Sequence, residues 1–305
     1  MIRVAGAPVS FGVFELAPED GTVLPGPDLI AAALADAGYD GIDLGPVGFL
    51  GRGTELSDRL ARHRLQLAGG WIDLPFHDDD AYTAAIPVLD DVLDAFVEAG
   101  GSTALPTGLP PALPTLAASS TPERMQHPGG GPGLSLDAAG WQRFAANVQR
   151  AAERVRNRGF EPTFHHHACT LVETPDEIET FLSLTDVGLT LDSGHLILGG
   201  GDPLTGLRDW AGRVNHIHIK DASVATLRRI VAAGGGMREV WAEGAFVALG
   251  KGDLDLDGFM STLLAQEYSG WVVVEQDVIP RPGDPVDQAV TNQIINRKAL
   301  STWLP

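Results

Sequence analysis

Two hydrophobic periods alternate along the chain. Short apolar runs lie at Ile2–Ala7, Gly41–Leu44, Leu65–Trp71, Ser102–Pro106, Pro162–His167, Gly188–Asp192, Val214–Lys220 and Trp271–Gln276. Most are too continuous for in–out alternation, as expected of parallel strands covered on both faces. Helical patterns sit between them. Trp141, Phe144, Val148 and Val155 recur at spacings of three, four and seven, one face of a helix. Val92, Phe96 and Val97 mark the apolar face of another. Pro27-Asp28-Leu29-Ile30 opens a helix that Gly38 stops. Thr174-Pro175-Asp176-Glu177 combines an N-cap threonine, a proline at the first helical position and a glutamate placed for a capping box. Asp202-Pro203 repeats the cap-then-proline device before Leu204.

Eight strand–helix units in 305 residues predict an α/β fold, a single (β/α)8 TIM barrel spanning residues 1–305. A doubly wound open sheet is the alternative. Two segments break the rhythm. Residues 107–136, rich in Pro, Gly and Ser, are expected to form a long loop after strand four. Residues 222–251, with Gly234-Gly235-Gly236, form the other insertion, after strand seven. Both follow the C-terminal ends of strands, where a barrel keeps its active site, so lids or pocket walls are one expectation and surface decoration the other.

The residues able to do chemistry gather at the same ends. Strand five ends in His165-His166-His167 and strand six in Leu191-Asp192-Ser193-Gly194-His195. Strand seven reads Asn215-His216-Ile217-His218-Ile219-Lys220-Asp221, and strand eight ends in Glu275-Gln276-Asp277. Six of the nine histidines lie in the first three of these segments. Polar groups at the ends of apolar strands are costly to bury unless something binds them. Alternation puts His165 and His167 on one side of their strand and His166 on the other, and puts His216, His218 and Lys220 on a common face. Asp192, His218, Glu275 and one strand-five histidine, His165 in preference to His167, are thus expected to converge on a metal ion. Imidazole mixed with carboxylate suits Mn2+, Co2+, Fe2+ or Zn2+ better than Ca2+. Taken singly, each group has a plainer role. Asp192 and Asp221 fit helix N-caps, Glu275 an ion-pair partner, and Cys169 a small buried hydrophobe. The conjunction on four consecutive strands is what caps alone do not explain.

Weaker candidates surround this set. Trp71 and Phe11 are placed to wall a pocket, Trp71 offering a flat ring to a sugar or cyclitol face, although core packing is the simpler role for both. Lys251, in the turn Gly250-Lys251-Gly252-Asp253, is a candidate substrate contact or a plain exposed lysine. The glycine-rich Gly129-Gly130-Gly131-Pro132-Gly133 lacks the Lys-Ser/Thr of a phosphate loop, and no Gly-X-Ser-X-Gly elbow is present.

Charge narrows the ligand. Forty acidic residues against 21 basic ones give a formal net charge of −19, which repels phosphate backbones and anionic lipid. No stretch approaches the roughly 18 apolar residues of a membrane span. The opening Met1-Ile2-Arg3-Val4-Ala5-Gly6 has no basic segment before a long apolar run, and the lone cysteine rules out an intrachain disulfide. A soluble, cytoplasmic protein is expected, binding neither nucleic acid nor membrane. A homo-oligomer is compatible with the sequence.

The motifs Leu191-Asp192-Ser193-Gly194-His195, His216-Ile217-His218-Ile219-Lys220-Asp221, Val274-Glu275 and Gly250-Lys251-Gly252-Asp253 resemble those of the xylose isomerase-like TIM barrel superfamily of sugar isomerases, epimerases and endonuclease IV. Within it, Ala7-Pro8-Val9-Ser10-Phe11-Gly12, Ala37-Gly38-Tyr39-Asp40-Gly41-Ile42-Asp43-Leu44-Gly45 and Phe164-His165-His166-His167-Ala168-Cys169-Thr170 look most like the inosose dehydratase branch. A glutamate usually ends strand five in the wider superfamily, and histidine stands there here, as in that branch. The resemblance implies a divalent metal, Mn2+ or Co2+ first and Zn2+, Fe2+ or Mg2+ next. It assigns Asp192, His218 and Glu275 to the metal and His195 to the neighbourhood of the substrate. The implied reaction is removal of water from an inosose or related cyclic keto-polyol through an enediolate, with His195 or His167 as acid–base and Lys220 stabilising the oxyanion or protonating the leaving hydroxyl. The same intermediate serves an isomerase or epimerase. An endonuclease IV-like phosphodiesterase is disfavoured by the charge, and a non-catalytic sugar-binding barrel is the remaining alternative.

Overall fold

The computed structural model describes residues 1–14, 19–100, 109–131 and 133–304. In chain order the strands are β1 (Ile2–Gly6), β2 (Gly41–Ile42), β3 (Gln66–Leu67), β4 (Gly69–Leu74), β5 (Leu113–Ala118), β6 (Thr163–His165), β7 (Gly188–Asp192), β8 (Val214–Ile219), β9 (Asp221–Ala222), β10 (Phe246–Val247) and β11 (Gly270–Val274). All except β9 and β10 form one parallel sheet, in the order β3-β2-β1-β11-β8-β7-β6-β5-β4. Between β3 and β4, Ala68 donates its N–H to Ile42 O at 3.0 Å and accepts that of Leu113 at 3.0 Å. The two short strands are therefore one, bonded to β2 on one side and β5 on the other, and the sheet closes as a barrel of eight.

The helices are α1 (Pro27–Asp36), α2 (Thr54–His63), α3 (Asp79–Glu98), α4 (Pro122–Met125), α5 (Ala138–Asn157), α6 (Pro175–Leu184), α7 (Ser193–Leu198), α8 (Pro203–Asp209), α9 (Val224–Ala232), α10 (Met237–Ala242), α11 (Leu256–Ala265) and α12 (Val286–Ala299). Their ends follow local chemistry. Thr174 and Glu177 form the capping box of α6, and the Asp202 carboxylate accepts the Leu204 N–H at the start of α8. Val92 and Phe96 of α3 are buried, but Val97 is exposed. Among the described residues no helix is long and apolar enough to cross a membrane.

Strand alternation separates two cores. On β6, Phe164 turns outward to stack on Phe181 of α6, ring centroids 4.1 Å apart. Its burial contributes about 1.5–3 kcal/mol, and the next residue, His165, turns inward. The barrel's lower interior is filled by Ala5, Ala68, Leu113, Val273 and Trp271. Trp271 fits because Gly41 has no side chain, since a Cβ there would lie 2.7 Å from the indole. With the base of the barrel packed in this way, the polar inward residues are left toward the C-terminal ends.

Three expectations need correction. The fourth strand is β5, at Leu113–Ala118, and the expected Ser102–Pro106 strand lies outside the described residues. Four nearby prolines argue against a strand on the sequence. Pairing of β5 with β6, however, starts only at Thr115 opposite Thr163, so Pro114 precedes that ladder and removes no bond from it. Residues 107–136 are thus not one long loop, since they hold β5 and α4. Residues 222–251 are also folded. The antiparallel β9–β10 pair encloses α9 and α10, and the glycine run ends one helix and starts the next.

Candidate metal centre

Four strand ends deliver four donors to one point. His165 comes from β6, Asp192 from β7, His218 from β8, and Glu275 follows β11 directly. All four are buried. His165 Nε2 lies 3.4 Å from Asp192 Oδ2 and 3.1 Å from His218 Nδ1, which is 3.1 Å from Glu275 Oε2 and 3.9 Å from Asp192 Oδ2. Ligands about 2.1 Å from a divalent ion stand roughly 3.0–3.4 Å from one another, so this spacing fits an ion with little movement. Asp192 Oδ2 is buried and accepts no hydrogen bond. Asp192 Oδ1 accepts the His195 N–H at 2.8 Å as the N-cap of α7. One carboxylate therefore has both the structural role and a second oxygen, in ion-pair range of Lys220, aimed at the centre. His165 Nδ1 faces the His166 carbonyl, which only accepts. The ring proton is therefore on Nδ1, and Nε2 presents its lone pair to the cluster.

Charge is balanced tightly here. Burial opposes the Lys220 ammonium, but Asp192, Asp277 and Glu275 outweigh it and hold the lysine charged. Its Nζ lies 3.3 Å from Asp192, 3.0 Å from Glu275 and 2.8 Å from Asp277. Burial likewise opposes ionisation of Glu275, yet His218 and Lys220 keep its carboxyl well below the usual range. Burial works against the His218 cation too, but Glu275 raises it to about 9. Asp277, desolvated, is pushed up to about 6.

His167 lies beside the centre. Its Nδ1 donates to Ala168 O at 2.8 Å, leaving a lone pair on Nε2. Burial, then the charges of His165 and Lys220, keep the ring neutral. His195, expected near the substrate, lies behind it, ring centroids 3.6 Å apart, and is not among the residues lining the cavity. The cause is its place in the first turn of α7, which seats it in the interior with Nε2 3.4 Å from Asp277 Oδ2. His166 points away from the cavity and accepts the Asp192 N–H at 3.1 Å. Cys169 is a buried free thiol outside the cavity lining.

Above the centre is a cavity of about 430 Å³. Trp71 lines it with its ring edge-on to His165 and His167. Ser119, Ser120 and Met125 from the segment after β5, and Trp241 from α10, complete the walls. Two residues expected at the pocket, Phe11 and Lys251, are not among those lining it. Phe11 belongs to a 3-10 turn, Pro8–Phe11, that buries its ring in the core and leaves Pro8 and Val9 on the wall. Lys251 is exposed and does not line the cavity. Asp221 Oδ2 draws in the N–H groups of Gly250, Lys251 and Gly252, at 2.9, 3.1 and 2.9 Å, so the turn's backbone faces inward.

Sequence reasoning passed over Asp43, Asp277 and Trp241, all on the cavity wall. The i, i+2 alternation that groups His216 with His218 also groups Glu275 with Asp277. Asp43 carries the strand-end signal of the other carboxylates. Nothing local marks Trp241.

Residues 31–292 match the family described as xylose isomerase-like TIM barrel, and the chain belongs to that family. It is 27% identical to the inosose dehydratase of Bacillus velezensis, over 88% of this chain and 86% of that protein. It is 29% identical to the rhizopine catabolism protein MocC of Rhizobium meliloti, over 84% of this chain and 76% of that one. The IolI protein, whose solved structure holds a zinc atom, is similar in fold, with a TM-score of 0.70 at 15% identity over 99% of each chain.

Proposed function

We propose that this chain is a divalent-metal-dependent carbon–oxygen lyase that removes water from an inosose or a related cyclic keto-polyol. The observation that carries the reading is the four-donor cluster on the floor of an aromatic-walled cavity, with an Asp192 oxygen that accepts no hydrogen bond. His165, Asp192, His218 and Glu275 hold the ion, with Mn2+ or Co2+ as the first choice. The ion supplies Lewis acidity toward a ketone and its neighbouring hydroxyl. His167, neutral and with Nε2 unprotonated, takes the proton next to the carbonyl. Lys220, charged and on the cavity wall, delivers a proton to the departing hydroxyl, which leaves as water. Trp71 receives the ring face, and His195 keeps His167 in place.

The charge pattern favours a neutral substrate. Lys220 is the only cation among the described cavity residues apart from histidine, and three carboxylates already occupy it. Residues 15–18, 101–108, 132 and 305 include no Lys, Arg or His. Among the described cavity residues no unpaired Lys or Arg is left to hold a phosphate. The similarity to inosose dehydratase points the same way. Isomerisation or epimerisation is the second reading, favoured by Asp277 as a further proton-transfer group on the cavity wall. The test is a panel of inososes, ketohexoses and their phosphates in D2O with Mn2+ or Co2+, followed by mass spectrometry. Loss of water from an inosose supports the lyase. Deuterium uptake without water loss supports the second reading. Binding without either outcome means that the barrel is not catalytic toward these compounds.

A further inference from the structure

Beneath the four-donor cluster lies a second buried group, Asp43, His216 and His218, with donor-type atoms within 4.8 Å of one another. Asp43 Oδ1, both ring nitrogens of His216 and Nε2 of His218 are buried without a hydrogen-bond partner. Leaving such groups unpaired costs about 1–3 kcal/mol each, so the cluster needs a purpose.

The chemistry of His218 decides what that purpose is. Its Nδ1 faces Glu275 and His165, on the side of the metal centre. A neutral imidazole that gives one lone pair to a metal carries its proton on the other nitrogen. Nε2 of His218 is then a donor, so it cannot also be a ligand to a second cation. The acceptor without a partner in the same cluster is Asp43 Oδ1. We propose that Asp43 is a positioning residue: its carboxylate accepts the Nε2–H of His218 and aims Nδ1 at the metal, with His216 bracing the carboxylate from the far side.

Gly69 makes the room. A Cβ there would lie 2.9 Å from Asp43 Oδ1 and 3.2 Å from His216 Nε2. Any side chain at this position would therefore push into the space the two groups face. A carboxylate behind a metal-bound histidine fixes its orientation and tautomer and raises its basicity. Asp43 directly follows β2, three places round the ring of strands from β8, so it also ties the centre to another part of the barrel wall.

This inference rests on the metal-centre reading, and the experiment separates the two. Co2+ and Zn2+ affinities of the metal-stripped protein are measured by calorimetry with a competing chelator, alongside the thermal midpoint of each metal-free variant. Asp43→Ala is expected to weaken binding 10–100-fold, and Asp43→Asn, which keeps a neutral acceptor, to recover part of it. Histidine-ring 15N NMR of the zinc-loaded wild type provides a check that needs no variant. The His218 Nε2 proton is expected to be present and slow to exchange. Unchanged affinity in both Asp43 variants, with Glu275→Gln still impaired, overturns this inference and leaves the centre intact. A rapidly exchanging Nε2 proton overturns it as well. Wild-type protein that binds neither ion removes the centre itself, and this inference with it.

Discussion

Arg124→Met tests how the cavity wall is held. Arg124 sits on α4, next to the cavity residue Met125, and its side chain is only 1% exposed. Its guanidinium grips both oxygens of Glu177, donates to Glu173 Oε2 at 3.4 Å and donates to Leu134 O at 2.9 Å. Glu173 also accepts the Gly129 N–H at 2.7 Å. The arginine thus clamps the segment after β5 onto the start of α6. Removing it strands two buried carboxylates, and breaking a buried pair from one side costs about 3–5 kcal/mol. For 305 residues the unfolding entropy is about 0.6 kcal/mol per degree, so the melting temperature should fall by about 5–8 °C. The loss should depend on pH. Burial pushes Glu173 up to about 7 even with Arg124 present, and the arginine acts against that rise. A carboxyl raised in the folded state contributes stability that is full below its ordinary value and is lost as pH rises through the folded one. Without the arginine the folded value climbs further, so the deficit should be largest near pH 8 and shrink toward pH 5. Calorimetric melts of both proteins at the two pH values measure this. A drop under 2 °C at pH 8, or a larger drop at pH 5, would refute the clamp.

Chelation should abolish turnover, and Mn2+ or Co2+ should restore it; full activity in protein shown metal-free by elemental analysis would sink the lyase mechanism. In the histidine triplet, His165→Ala should lower metal affinity at least about tenfold, roughly 1.4 kcal/mol. His167→Ala should keep the metal and lose about 100-fold in kcat. His166→Ala should mainly lower the melting temperature, because its ring serves the Asp192 N–H; if only this variant is inactive, the inward and outward sets are exchanged. Trp71→Ala should raise KM more than it lowers kcat, and an unchanged KM would move the substrate to another wall.

Local chemistry and periodicity reach far in this chain. A strand has a period of two, so the sequence around β6 and β8 already groups His165 with His167, and His216 and His218 with Lys220, on common faces. The Thr174 capping box and the Asp202-Pro203 start are written in a few consecutive residues, since a cap satisfies only its own first turn. The eight-unit rhythm likewise follows from apolar runs that parallel strands must bury on both faces. The remainder depends on which distant segments meet. Strand four hides in proline-rich sequence because Pro114 is harmless only where β6 has not yet begun to pair, and that is a fact of register. His165 and His167 share a face by sequence. What separates them is tertiary: His165 meets Asp192 and His218, while His167 stacks on His195. Lys251 leaves the site because Asp221, thirty residues earlier, claims its backbone. Asp43 and Trp241 enter it only when the curl of the sheet turns the end of β2 toward β8, three places round the ring, and brings the folded 222–251 segment over the mouth. Alternation tells which way a side chain points, but what it meets depends on the ring of strands being closed.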